Sequence, residues 1–284
     1  MEKKIFPRTV VGGVSLPRML IGTNWLLGWG HRTPAHDKLI IGRNKNRDAI
    51  AEIVEAFLTY DVDAIMAPAA QQEALVEGVK LAEDRTGKKV IIIDTPIINV
   101  DDTAEGRRAA EAEIKKCAKV GATFCFPHHS SAEQLVNKNK HSMDRLPDYL
   151  SMIRDNGMIP GLSAHMPELI VYSDEQGYDV ETYIQIFNCM GFLMQVEIEY
   201  IYNVIWSAKK PVMTIKPMAA GRVTPFVGIT FAYAALRPCD MVTVGCFQPD
   251  EVHEDVEIGL AAIERRKPDL EGRSSPSKTA IMKD

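Results

Sequence analysis

Short apolar runs bounded by turn residues recur along the whole chain and alternate with stretches of helical period. The runs predict eight strands, at Met19 to Asn24, Ala64 to Pro68, Val90 to Thr95, Ala122 to His128, Met158 to His165, Phe192 to Glu199, Val212 to Lys216 and Met241 to Cys246. Helical period fills Arg47 to Thr59, Gln71 to Asp84, Thr103 to Lys119 and Leu146 to Asn156 between them. Alternation on this scale predicts a parallel sheet, and eight units predict a closed α/β barrel, a (β/α)8 fold. No linker is long enough to divide the chain, so residues 1–265 read as one barrel domain. Lys4 to Leu16, with Val10-Val11-Gly12-Gly13-Val14, has the pattern of a short hairpin that could cap the barrel floor. Residues 266–284 are polar and broken by Pro268, Gly272 and Pro276, the pattern of a flexible tail.

Side chains alternate along a barrel strand between the interior and the helix layer, and chemistry gathers at the C-terminal strand ends. The apolar set Met194, Val196 and Ile198 on strand six would face the helices, turning Gln195, Glu197 and Glu199 inward. Similar counting turns Gly161, Ser163 and His165 inward on strand five, Thr214 and Lys216 on strand seven, and Gly22 and Asn24 on strand one. Asp94 ends strand three, where the run Ile91-Ile92-Ile93 leaves the parity open. On strand four the two phenylalanines 124 and 126 are expected outside, which favours His129 over His128 as the inward histidine.

Imidazoles and carboxylates on successive strand ends are the ligand mixture for Zn²⁺, Mn²⁺ or a similar divalent ion, here His128, His129, His165 and Glu197. The competing account is a wet pocket of hydrogen-bonded polar groups without metal. Lys216, Asp94 and Glu199 are the candidates to move a proton, although Lys216 could instead pair with Glu197 or Glu199. Gly221 and Arg222 after strand seven, with Gly245 and Cys246 at the end of strand eight, offer an anion-holding wall or else two ordinary turns. The loop from Trp25 to Asp37 is rich in aromatic, His and Arg residues. It reads as a lid in which His31 and Arg32 meet substrate, or as an oligomer interface.

Composition narrows the classes. A net charge of -5, with basic residues scattered, argues against nucleic acid as a partner. Five cysteines without a CxxC pair suit a reducing, cytoplasmic setting, and no run approaches a membrane span. The first twenty residues meet Pro7, Gly12, Gly13 and Pro17, unlike the apolar core of a signal peptide.

The segment Lys216-Pro217-Met218-Ala219-Ala220-Gly221-Arg222, followed by Val242-Thr243-Val244-Gly245 and a Glu-rich helix, resembles the last third of the aldo-keto reductases. The hairpin, Leu20-Ile21-Gly22-Thr23-Asn24 and the Gln195 segment extend the resemblance forward. It implies a (β/α)8 barrel with an NADP-type cofactor against Gln195 and the loops after strands seven and eight. It also implies a catalytic tetrad of Asp, Tyr, Lys and His. Of that tetrad only the histidine, His128 or His129, carries over: Ile65-Met66-Ala67-Pro68 lacks the aspartate, residues 69–72 lack the tyrosine, and Asp94 stands where the lysine would be.

The first reading is therefore a divalent-metal-dependent isomerase, epimerase or lyase that abstracts a proton beside the carbonyl of a small hydroxylated acid or sugar derivative. In it, His129, His165 and Glu197 hold the ion and Arg222 holds the substrate's anionic end. An atypical NAD(P)H-dependent reductase is the alternative, and a non-catalytic scaffold barrel using the Trp25 and Trp29 loop is a third. A homo-oligomer is expected.

Overall fold

The computed structural model describes residues 4–44 and 46–270. Nine hydrogen-bonded segments make one parallel sheet, and its two edge segments are the halves of a single strand. Ile159–Pro160 pairs with Phe124–Cys125, while Leu162–Ala164 pairs with Tyr183–Ile186. Gly161 lies between the halves because a Cβ there would meet the Phe126 ring at 2.5 Å and the Thr182 carbonyl oxygen at 2.9 Å. The sheet thus closes into the expected (β/α)8 barrel.

In chain order the barrel strands are Met19–Gly22, Ala64–Ala67, Ile91–Asp94, Phe124–Cys125, the split fifth strand, Tyr183–Ile186, Val212–Ile215 and Met241–Gly245. Helices cover their outer faces, and capping residues set several of the starts. Asn46 accepts from the Ala49 N–H and Thr103 from the Gly106 N–H, at the heads of Arg47–Leu58 and Ala104–Lys119. Among the described residues no helix is long and apolar enough to cross a membrane.

Alternate strand residues fill the barrel interior: Leu20, Met66, Ile93, Phe124, Phe126, Ile184, Met213 and Met241 form one buried cluster. The floor is closed by the hairpin Arg8–Val11 with Val14–Pro17, whose Val11 and Leu16 join that cluster. Its turn uses Gly12 and Gly13 at φ of 54° and 82°, conformations that suit glycine. At the other end of the chain, Arg266 pairs with Glu257, and the Asp269 N–H donates to the same carboxylate. The rest of the expected tail, 271–284, lies outside the described residues.

Three expectations are corrected. Strand six is Tyr183–Ile186, not Phe192 to Glu199. A strand buried on both faces lacks alternation, and Tyr183–Ile186 is buried at every position. Met194, Val196 and Ile198 mimic a strand because the connection lays each of them against the core on its way to helix Ile198–Ser207. Strand four is inverted, since both phenylalanines point inward where their bulk fills the barrel. Strand seven is inverted too: Met213 and Ile215 pack with the interior, and Thr214 donates to the Met241 carbonyl oxygen.

Candidate active site

The C-terminal strand ends open into one large pocket of about 840 Å³, within the range of small-molecule sites. Gly22, Asn24, Met66, Thr95, His128, His129, Ser163, His165, Ile184, Lys216, Thr243 and Gly245 line it. Inverted parity would have sent Lys216 toward the helices. Instead its backbone takes φ of 61°, breaking the alternation and delivering the side chain to the mouth beside Ile215.

The Lys216 side chain makes no hydrogen bond or ion pair among the described residues, and burial holds its ammonium down to about 8. The partner expected for it, Glu197 or Glu199, is elsewhere. Glu197 caps the backbone start of helix Ile198–Ser207, Glu199 lies in its first turn, and both are exposed with Gln195 away from the pocket.

Across the mouth stand three imidazoles. His128 and His129 have ring centroids 4.2 Å apart, and His129 stacks on His165 at 3.7 Å with planes 19° apart. The His128 Nδ1 accepts from the Ser130 N–H at 3.3 Å and meets the Ser130 hydroxyl at 2.8 Å, so a neutral His128 carries its proton on Nε2. Burial, with His129 and Lys216 nearby, lowers His128 to about 4 and His165 to about 3. Both are neutral at physiological pH.

Glu133, absent from the expected set, completes this group. Its Oε1 accepts from the backbone N–H of His165 and Met166 at 2.6 and 3.0 Å, and its Oε2 lies 3.8 Å from the His129 Nδ1. Burial alone would raise its carboxyl, but these hydrogen-bonding neighbours outweigh burial and hold it below the ordinary value. Ligand atoms of His129, Glu133 and His165 all fall within 4.8 Å of one another. Glu133 thus takes the place expected of Glu197, and its spacing of four from His129 on one helical turn is the sequence signal that could have found it.

Asp94 is turned out of the mouth. Its Oδ2 accepts from the Ala70 N–H at 2.9 Å, and burial raises its carboxyl to about 6. Thr95, one residue on, lines the pocket in its stead.

The lid segment forms the pocket's other wall. Trp25 packs edge-on to His36 with centroids 5.0 Å apart, and a Cβ on Gly221 would touch its indole at 3.0 Å. His31 and Arg32 both line the mouth; burial and the nearby Lys216 lower His31, and Arg32 has no ion pair among the described residues. Arg222 is occupied: its guanidinium lies 4.1 Å over the Phe192 ring and donates to the carbonyl oxygens of His31 and Ala219.

At strand eight the expected anion wall is corrected. The head of helix Pro249–Glu264 carries Asp250 and Glu251, and Glu251 accepts from the Phe247 N–H, so that helix start already holds a carboxylate. Cys246 is buried and donates to Asp255 at 3.4 Å, while burial raises Asp255 to about 7. Glu251, Glu254 and Asp255 line this end of the pocket. The mouth is thus cationic by Lys216 and Arg32 and acidic at the last helix.

No family model matches the chain, and no curated protein matches its sequence. Solved structures do match its build. A putative aldo-keto reductase from Pseudomonas aeruginosa superposes with a TM-score of 0.66 at 13% identity, covering 93% of this chain and 98% of that one. The glycerol dehydrogenase of Gluconobacter oxydans gives 0.59 at 13% identity, covering 98% of this chain and all (100%) of that one. An aldo-keto reductase from Klebsiella pneumoniae, in complex with NADP and acetate, gives 0.57 at 13% identity, covering 95% of this chain and 98% of that one. The barrel is aldo-keto reductase-like in fold, and identity this low speaks for the fold alone.

Proposed function

We propose that the protein is an enzyme that reduces or oxidises a small anionic carbonyl or hydroxyl compound, with Lys216 in place of a tyrosine as the group that exchanges the proton. The observation that carries this reading is a half-buried lysine whose side chain has no partner among the described residues, delivered to the mouth by a left-handed backbone and facing neutral imidazoles. A group titrating near 8 is charged at neutral pH yet close enough to it to give up a proton. His128, with its N–H on Nε2, would donate to the same oxygen, and Arg32 would hold the substrate's carboxylate or phosphate.

The pocket residues fit an unphosphorylated nicotinamide dinucleotide better than a phosphorylated one. Gly221 and Gly245 line the wall of strands seven and eight, and Asp255, Glu254 and Glu251 would accept from ribose hydroxyls but repel a 2′-phosphate. When bound, such a cofactor supplies the hydride. NADH and NADPH titrations followed by fluorescence test the reading: saturable NADH binding that is tighter than NADPH binding supports it, and no binding of either dinucleotide refutes it.

One observation favours a second reading, the triangle of His129, Glu133 and His165. A divalent ion there would polarise a carbonyl and let Lys216 remove the adjacent proton, as an isomerase or lyase requires. Elemental analysis separates the two: a stoichiometric metal lost in Glu133→Gln, without dinucleotide binding, selects the second.

A further inference from the structure

We propose that the outer face of helices Ile198–Ser207 and Pro225–Ala235 joins two copies of this chain about a twofold axis. An exterior barrel helix ordinarily shows charge to water, as Ala104–Lys119 does with exposed Glu105, Arg107, Arg108, Lys115, Lys116 and Lys119. Helix Pro225–Ala235 does not. From Val223 to Leu236 the sequence holds no charged residue. The outward stripe is Phe226, Val227, Thr230, Phe231 and Ala234, with Phe226 and Val227 each 48% exposed.

The neighbouring helix extends the stripe. Tyr202 and Trp206 lie one turn apart with ring centroids at 5.7 Å and are 36% and 49% exposed. The Trp206 indole N–H donates to the Ala235 carbonyl oxygen at 2.8 Å, tying the two helices into one surface. A helix apolar on every side is built to be covered.

Charge and area identify the occupant as a second copy. The chain carries a net charge of -5, yet this face carries none at its centre, so the same face of another molecule meets no like charge, whereas a charged partner would find no complement. An aromatic side chain presents about 150–250 Å², so the three exposed rings with Val227, Phe231 and Ala234 offer about 400 Å² of apolar surface. That is about half of one side of a standard interface, the apolar core that a polar rim completes. Exposed Glu199, Asn203, Ser207 and Thr224 surround it. A twofold axis is the arrangement in which one patch satisfies itself. This places the expected oligomer contact away from the Trp25 and Trp29 loop, where Trp25 is committed to the pocket wall.

Sedimentation velocity of the full chain over a wide concentration range tests the proposal. The wild type should be dimeric, and Phe226→Glu should weaken dimerisation at least about a hundredfold by placing an unpaired charge in the contact. Val227→Glu serves as the second variant, and circular dichroism confirms that each is folded. A wild type that stays monomeric throughout assigns the face to another occupant and overturns the proposal. So does a dimer that survives both substitutions unchanged.

Discussion

Replacing Lys216 by Met removes a charge from the mouth while keeping an unbranched side chain of similar length. The folded protein holds this lysine at about 8, against 10.5 for the free side chain. Below pH 8 both folded and unfolded chains carry the proton, and the folded one bears the full cost of desolvating it. That difference corresponds to up to about 3 kcal/mol of destabilisation at pH 7. Between pH 8 and 10.5 the unfolded chain keeps more protons than the folded one, so stability rises with pH and the cost shrinks, to about 1 kcal/mol at pH 9.5. Lys216→Met should therefore be more stable than the wild type at pH 7, by up to about 3 kcal/mol in urea denaturation, and the gap should narrow toward pH 9.5. Turnover should be lost in the same variant. A Met variant no more stable at pH 7, or a gap that ignores pH, would refute the assignment of Lys216 as a desolvated ammonium.

Falling pH should destabilise the protein below about 6.5, because the unfolded chain takes up protons that His128 and His165 refuse until about 4 and 3; the double variant with glutamine at both positions should flatten this acid limb in urea titrations. Gly161→Ala should cost about 1–3 kcal/mol, since its methyl would strike the Phe126 ring, and Phe126→Leu in the same chain should recover part of the loss in thermal melts. Asp94→Ala should destabilise by about 1–3 kcal/mol through the unpaired Ala70 N–H, while Asp94→Asn, which keeps an acceptor, should retain turnover within a few fold because the side chain faces away from the mouth. A large loss of turnover in folded Asp94→Asn would contradict that placement.

The sequence carried the architecture well where helical and strand periods differ most. Helices Arg47–Leu58, Ala104–Lys119 and Leu146–Asp155 begin at the residues their patterns predict, or one later. Strand six was missed because a doubly buried strand has no alternation to read, while a connection with three core-facing residues does. Parity failed on strands four and seven for a related reason. A barrel interior takes bulky side chains as readily as its helix layer does, so Phe124, Phe126, Met213 and Ile215 gave no direction on their own. His165 reached the mouth by simple counting; Lys216 reached it only through a backbone turn that no alternation rule encodes. Glu133 lay hidden because it comes from a short loop helix rather than a strand end.

The split fifth strand has a consequence for motion. Every other junction of the ring joins two whole strands, but here the circle is fastened by a clasp: two residues hold one side and three the other, with a glycine as the pin. Its first half is held by two register pairs, no more and no fewer than three other junctions of the ring, so any faster amide exchange there comes from the break at Gly161 itself. Ser163 belongs to the half held by three pairs, and His165 follows that half directly. The spacing of His165 from His128 and His129, which follow strand four on the other side of that clasp, is therefore set by how tightly it is shut.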